Sequence, residues 1–218
     1  MTTSRWARVA AVEFAVAAAV VLLDLAIPTL VILALAGASL ALRRASPASL
    51  GFRRLDRLAR TLAVVLGLTA GWTLLQIGLV MPLLNRVTGT RQDLSGFDEL
   101  QGDVGLLVVL VVLSWTLAAL GEETAFRGYL PTRIGEALGG AGSRVGVLAG
   151  VLGSSVLFAL IHTEQGVVGV AVTFLDALFL SYLCRRQGGV WASVLGHGFN
   201  NTIGLVTFFL VGPVYGLW

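Results

Sequence analysis

Val104-Gly105-Leu106-Leu107-Val108-Val109-Leu110-Val111-Val112-Leu113-Ser114-Trp115-Thr116-Leu117-Ala118-Ala119-Leu120 carries no charge and runs straight into Gly121-Glu122-Glu123-Thr124-Ala125-Phe126-Arg127-Gly128. The first piece has the length and character of a membrane helix. The second places two adjacent carboxylates near its end. An ionised carboxylate in hydrocarbon is costly, so such groups are paired, face a wet cavity, or serve a function.

The remainder of the chain has the same character. Of 218 residues, 56% are hydrophobic and 12% charged. Soluble globular chains carry roughly twice that charged fraction. In lipid the backbone must satisfy its own hydrogen bonds, which leaves a helix bundle or a closed barrel. Barrel strands alternate apolar and polar residues over ~10-residue stretches, whereas these blocks are longer and apolar on all sides. The expected fold is all-α: a polytopic transmembrane helix bundle of about seven spans (six to eight), N-terminus inside, forming one integral membrane domain over residues 1–218. Residues 1–100 supply N-terminal helices and a basic loop, and residues 104–211 the motif-bearing helices. The net charge of +3 does not indicate nucleic acid. All fifteen basic residues are arginines, set mainly between the apolar blocks. Cys184 is the sole cysteine, so no internal disulfide or cysteine-rich metal site is available.

The expected spans are Val9–Leu23, Ile27–Leu42, Thr61–Leu84, Val104–Leu120, Val145–Ile161, Val167–Leu183 and Val190–Val211. The first is read as an uncleaved helix, because no small-residue cleavage site follows it. Asp24 and Pro28 break the pattern between the first two runs, which form either a hairpin or one kinked helix. Leu50 to Leu58 mixes apolar and basic residues at helical spacing, as an interfacial helix on an anionic leaflet would. An ordinary loop fits equally. Residues 86–103 and 128–144 read as polar or mixed connections. With seven spans and the N-terminus inside, thirteen arginines fall inside and only Arg86 and Arg91 outside. The hairpin reading agrees with that asymmetry.

Three motifs carry candidate chemistry. In Glu122-Glu123-x-x-x-Arg127, the adjacent carboxylates point ~100° apart on a helix. Glu123 and Arg127, four apart, share a face. One glutamate is thus available for chemistry and the other for an ion pair. In Phe158-x-x-x-His162 and His197-x-x-x-Asn201 the same spacing aligns ring with imidazole and imidazole with amide. His162 and His197 are the only histidines. Each motif alone also fits a structural role: a charged helix end, a satisfied interfacial histidine, polar contacts between helices. Glu13, Asp24 and Asp176 are further intramembrane acids. Asp176, mid-span, is positioned either to orient a site histidine or to bond a neighbouring helix.

Taken together and in order, the three motifs, with the Phe126-Arg127-Gly128 ending, resemble the signature of the CPBP family (CAAX proteases and bacteriocin-processing enzymes), which includes CAAX prenyl endopeptidases of the Ras-converting type. The resemblance covers residues ~104–211. It implies hydrolysis of a peptide bond in a membrane protein or lipidated peptide, within the bilayer, in a bacterial cytoplasmic membrane. It implies Glu122 as general base on a water, His162 holding that water, and His197 with Asn201 stabilising the oxyanion. Glu123, Arg127 and Phe158 support them. The family has been described both as metal-dependent and as glutamate-dependent. Glu122, His162 and His197 are also a ligand set of the kind that holds zinc with an open fourth position, although the His-Glu-x-x-His motif is absent. Two other classes compete: a non-catalytic scaffold or immunity protein with the same fold, and an ion-coupled transporter, which would show symmetry between halves that this sequence lacks. One difficulty stands. On these spans Glu122 and His197 lie toward the inner side and His162 toward the outer.

Overall fold

The structure, a computed structural model, describes residues 2–55 and 57–217, with side chains from Arg5 onward. Among the described residues it is helical, with no strand. Seven helical rods follow in order: α1 (Thr2–Leu22), α2 (Pro28–Arg43), α3 (Leu58–Thr88), α4 (Val104–Leu138), α5 (Arg144–Leu160), α6 (Gly166–Arg186) and α7 (Val190–Val211). Four of them, α3, α4, α6 and α7, are long and apolar enough to cross a membrane. At 16 and 17 residues, α2 and α5 extend only ~25 Å, short of the ~30 Å hydrocarbon core. α1 carries Arg5, Arg8 and Glu13.

Residues 9–42 form two helices. Asp24 and Ala26 take left-handed backbone, φ 48° and 56°, which ends α1, and Pro28 opens α2. The two are antiparallel. Arg43 at the end of α2 lies over Trp6, 4.6 Å from its centroid, and bonds Glu13 at 3.2 Å. Glu136 of α4 takes Arg43 Nη1 at 3.0 Å and Arg133 Nη1 at 2.7 Å. Glu13, read as an intramembrane acid, is therefore paired in a four-member ionic cluster that ties α1 and α2 to the end of α4.

Of the two readings of Leu50 to Leu58, the interfacial helix is not formed and the ordinary loop is. Pro47–Leu50 is one 3₁₀ turn ended by Gly51 at φ 93°, and the chain beyond is non-helical up to Leu58, with Asp56 outside the described residues. Leu50 is buried, and the Gly51 carbonyl accepts from Val190 N–H at 3.0 Å. Tertiary bonds hold this loop in place. One expectation is corrected: the fourth span does not end before a mixed connection over 128–144. α4 continues for 35 residues to Leu138, about 52 Å at 1.5 Å per residue. It does so through two wide-turned π segments, Ser114–Glu122 and Thr124–Tyr129. Glu122 and Glu123 therefore sit mid-helix.

The long α4 removes the difficulty of depth. Its second half and α5 form a tight antiparallel hairpin. A Cβ on Gly150 would meet the Pro131 backbone, and one on Gly146 the Gly140 carbonyl. Small residues at these positions let the backbones touch. Because α5 starts beside the far end of α4, its other end reaches only to Phe126, whose ring is 5.2 Å from Phe158. His162 lies just past that end and lines the same cavity as Glu122 and His197.

Gly150→Ala is expected to destabilise the protein by about 1–3 kcal/mol through overpacking. Gly37→Ala, which meets nothing within 4 Å, should be neutral or stabilising by about 0.5–1 kcal/mol. Thermal unfolding in detergent compares the two.

Candidate active site

Glu123 is fully buried. Its Oε1 lies 2.9 Å from Arg127 Nη1 and 2.8 Å from His197 Nδ1. The ion pair read from the i,i+4 spacing is present, and the same oxygen reaches across to α7. The Arg127 guanidinium also lies over the Phe158 ring at 4.1 Å. Phe158 in turn sits 5.0 Å from the His162 ring and edge-on to His197 at 6.0 Å. One aromatic side chain thus spaces the arginine and both imidazoles.

The hydrogen bonds orient both rings the same way. His162 Nδ1–H donates to the Phe158 carbonyl at 2.9 Å. His197 Nδ1–H donates to Glu123. In each ring Nε2 is left for other partners, as in sites where a second group fixes the imidazole tautomer. His197 Nε2 is 3.9 Å from Glu122 Oε2.

Glu122, His162, His197 and Asn201 all line one cavity of about 500 Å³ between α3, α4, α6 and α7. Phe158 lines it too, whereas Glu123 and Arg127 stand behind the wall. The close approach of α7 to α4 depends on Gly198, where a Cβ would lie 2.6 Å from three atoms of the Trp115 ring. Trp115 Nε1 donates to Thr202 Oγ1 at 3.0 Å, locking that contact. π segments of this kind are rare and recur at functional sites. Here one ends at Glu122.

Asp176 also lines the cavity. It bonds a neighbouring helix and no histidine: Trp72 Nε1 and Gln76 Nε2 of α3 both donate to its Oδ1, at 2.6 and 2.7 Å. Of the two readings left open by the sequence, the interhelical one holds. Gln76, Thr73, Asn200 and Gln165 complete the polar part of the wall and were not singled out in the sequence. Gln76 was findable, as an amide within the apolar stretch Leu74-Leu75-Gln76-Ile77.

Among the described residues no group of three His, Cys, Asp or Glu side chains is placed to share one metal ion. His197 has Nδ1 held by Glu123 and keeps Nε2 on the side of Glu122; no step below is routed through a metal.

Comparison with known proteins bears on this segment. The family model described as type II CAAX prenyl endopeptidase Rce1-like matches residues 104–203. No curated protein matches the chain, and no solved structure does. The match begins at the first residue of α4 and takes in all three motifs. With its helices long and apolar enough to cross a bilayer, the protein is an integral membrane protein. Residues 104–203, a little under half of the chain, are therefore similar to the Rce1-like domain of type II CAAX prenyl endopeptidases.

Proposed function

We propose that the protein is an endopeptidase that hydrolyses a peptide bond of a membrane protein or membrane-anchored peptide, with Glu122 as general base and no metal. The observation that carries this reading is the convergence of Glu122, His162, His197 and Asn201, from α4, α7 and the end of α5, on one cavity. In the reaction, Glu122 takes a proton from water as its oxygen attacks the carbonyl carbon. His162 Nε2 accepts from that water and holds it on line. The carbonyl oxygen becomes an oxyanion, met by the Asn201 amide N–H and by His197 Nε2–H when that ring carries both protons. Preorganised donors of this kind stabilise charge as it develops. Collapse of the intermediate breaks the C–N bond, and Glu122 returns the proton to the leaving nitrogen. Products are a carboxylate and an amine.

Glu123 acts through His197, whose ring it fixes, and Arg127 balances its charge. The seven rods are read as seven crossings with the N-terminus inside. The ends that bear Arg5, Arg43, Arg144 and Arg185 then face the cytoplasm of a bacterium, in keeping with the positive-inside rule. The chain acts as one membrane unit, residues 104–211 holding the chemistry and residues 1–100 bracing them.

Two outcomes are expected with purified protein and fluorogenic membrane peptides. Glu122→Gln should lower kcat by roughly 10²–10⁴-fold and Asn201→Ala by roughly 10²–10³-fold, while a chelator leaves wild-type cleavage intact. Loss of cleavage on chelation, with restoration by zinc, would show the metal-free mechanism to be wrong. Arg127→Leu strands the buried Glu123 carboxylate and should destabilise by about 3–5 kcal/mol. Glu122→Gln should leave the thermal midpoint nearly unchanged.

A further inference from the structure

The cavity extends from the site in one direction only. Its lining residues come from Phe158, His162 and Gln165 on and just after α5, from α7 from His197 onward, from residues 73–81 of α3, 110–122 of α4 and 172–180 of α6, and from Gln92, Leu94, Phe97, Gly212 and Val214. Those last five belong to the loop after α3 and the stretch after α7, at the end of the bundle opposite the arginine-bearing ends. Among the described residues none from the connections 44–57, 139–143 or 187–189 lines it.

The arginine-bearing side is packed shut. Leu50 lies buried against Gly128, where a Cβ would meet the Leu50 carbonyl at 2.9 Å. A Cβ on Gly189 would stand 2.7 Å from the Gly51 carbonyl. The Phe52 ring meets Trp191 edge-on at 5.2 Å. Ala119, Val190 and Val194 form an apolar cluster with Phe52 and Cys184 directly beneath the site. The 46–55 loop is the plug, held by the Gly51 carbonyl bond to Val190.

On the other side the wall opens. Leu113 and Leu117 of α4 both line the cavity and are exposed on the outside of the bundle. From His197 to the end of α7 is fourteen residues, a depth of roughly 20 Å that would take about six residues of extended chain at ~3.3 Å each.

Resting on the hydrolytic reading above, we propose that the site is reached from the face opposite the arginine-rich loops. By the positive-inside rule that face is extracytoplasmic. The substrate class is then a membrane-anchored peptide or protein whose cleaved stretch stands on the far side of the membrane, threaded as extended chain down an apolar shaft. A lipidated C-terminus presented from the cytoplasm meets the plugged face.

The test uses thiol access and does not depend on turnover. In a Cys184→Ser background, single cysteines are placed at Ser114 and Thr207, which line the cavity and have no part in the proposed chemistry. Gly96→Cys reports the loop after α3, and Ala141→Cys the arginine-bearing side. A membrane-impermeant maleimide is added to right-side-out spheroplasts and to inverted vesicles. Expected is labelling of Ser114→Cys and Thr207→Cys in spheroplasts, together with Gly96→Cys, and its loss in inverted vesicles, where Ala141→Cys reacts instead. Cavity cysteines that follow Ala141→Cys, that react equally from both sides or from neither, or a Gly96→Cys reached only in inverted vesicles, would overturn it. Repeating the labelling with Glu122→Gln added keeps the access result separate from the chemistry, because an inactive enzyme with the same labelling pattern retains this proposal while the hydrolytic one is judged by cleavage alone.

Discussion

A single oxygen, Glu123 Oε1, holds the site together. It is ion-paired with Arg127 on its own helix and accepts from His197 on α7. A charge buried this completely is tolerated only when paired and hydrogen-bonded, so the three groups stand or fall as a unit. The consequence is directional. Because His197 gives Nδ1–H to Glu123, its Nε2 turns to the cavity and toward Glu122. The two adjacent glutamates therefore differ by address: one behind the wall, fixing the His197 ring, the other in the wall of the cavity.

The second constraint is steric. The α4–α5 hairpin lets backbone meet backbone at Gly146 and Gly150, and this contact sets the level at which α5 ends. His162 comes to the site because α5 begins far down α4 and is only 17 residues long. The ionic cluster of Glu13, Arg43, Arg133 and Glu136 anchors the same end of α4 against α1 and α2. Charges that would be costly in lipid thus compensate one another away from the chemistry.

Between them these constraints give the cavity its polarity. The plug of Leu50, Gly51 and Phe52 closes one end, and the wide-turned segments Gln76–Val80 of α3 and Ser114–Glu122 of α4 line the other. Asp176, held by Trp72 and Gln76, joins α6 to α3 along that shaft. The contacts that close one end of the cavity are distinct from those that hold the motif residues.

The sequence by itself determined the helical membrane class and the residues of the candidate site. Both are local facts: long apolar blocks follow from composition, and i,i+4 spacing puts Glu123 with Arg127, Phe158 with His162 and His197 with Asn201. It did not determine where α4 stops, which way Leu50 to Leu58 folds, what Asp176 bonds, or the depth of His162. A helix continues or ends according to what it packs against. The composition of residues 128–138 fits a loop as well as a helix until Gly135 meets Gly146. Only the tertiary structure decided those matters, because each rests on a contact between segments far apart in the chain.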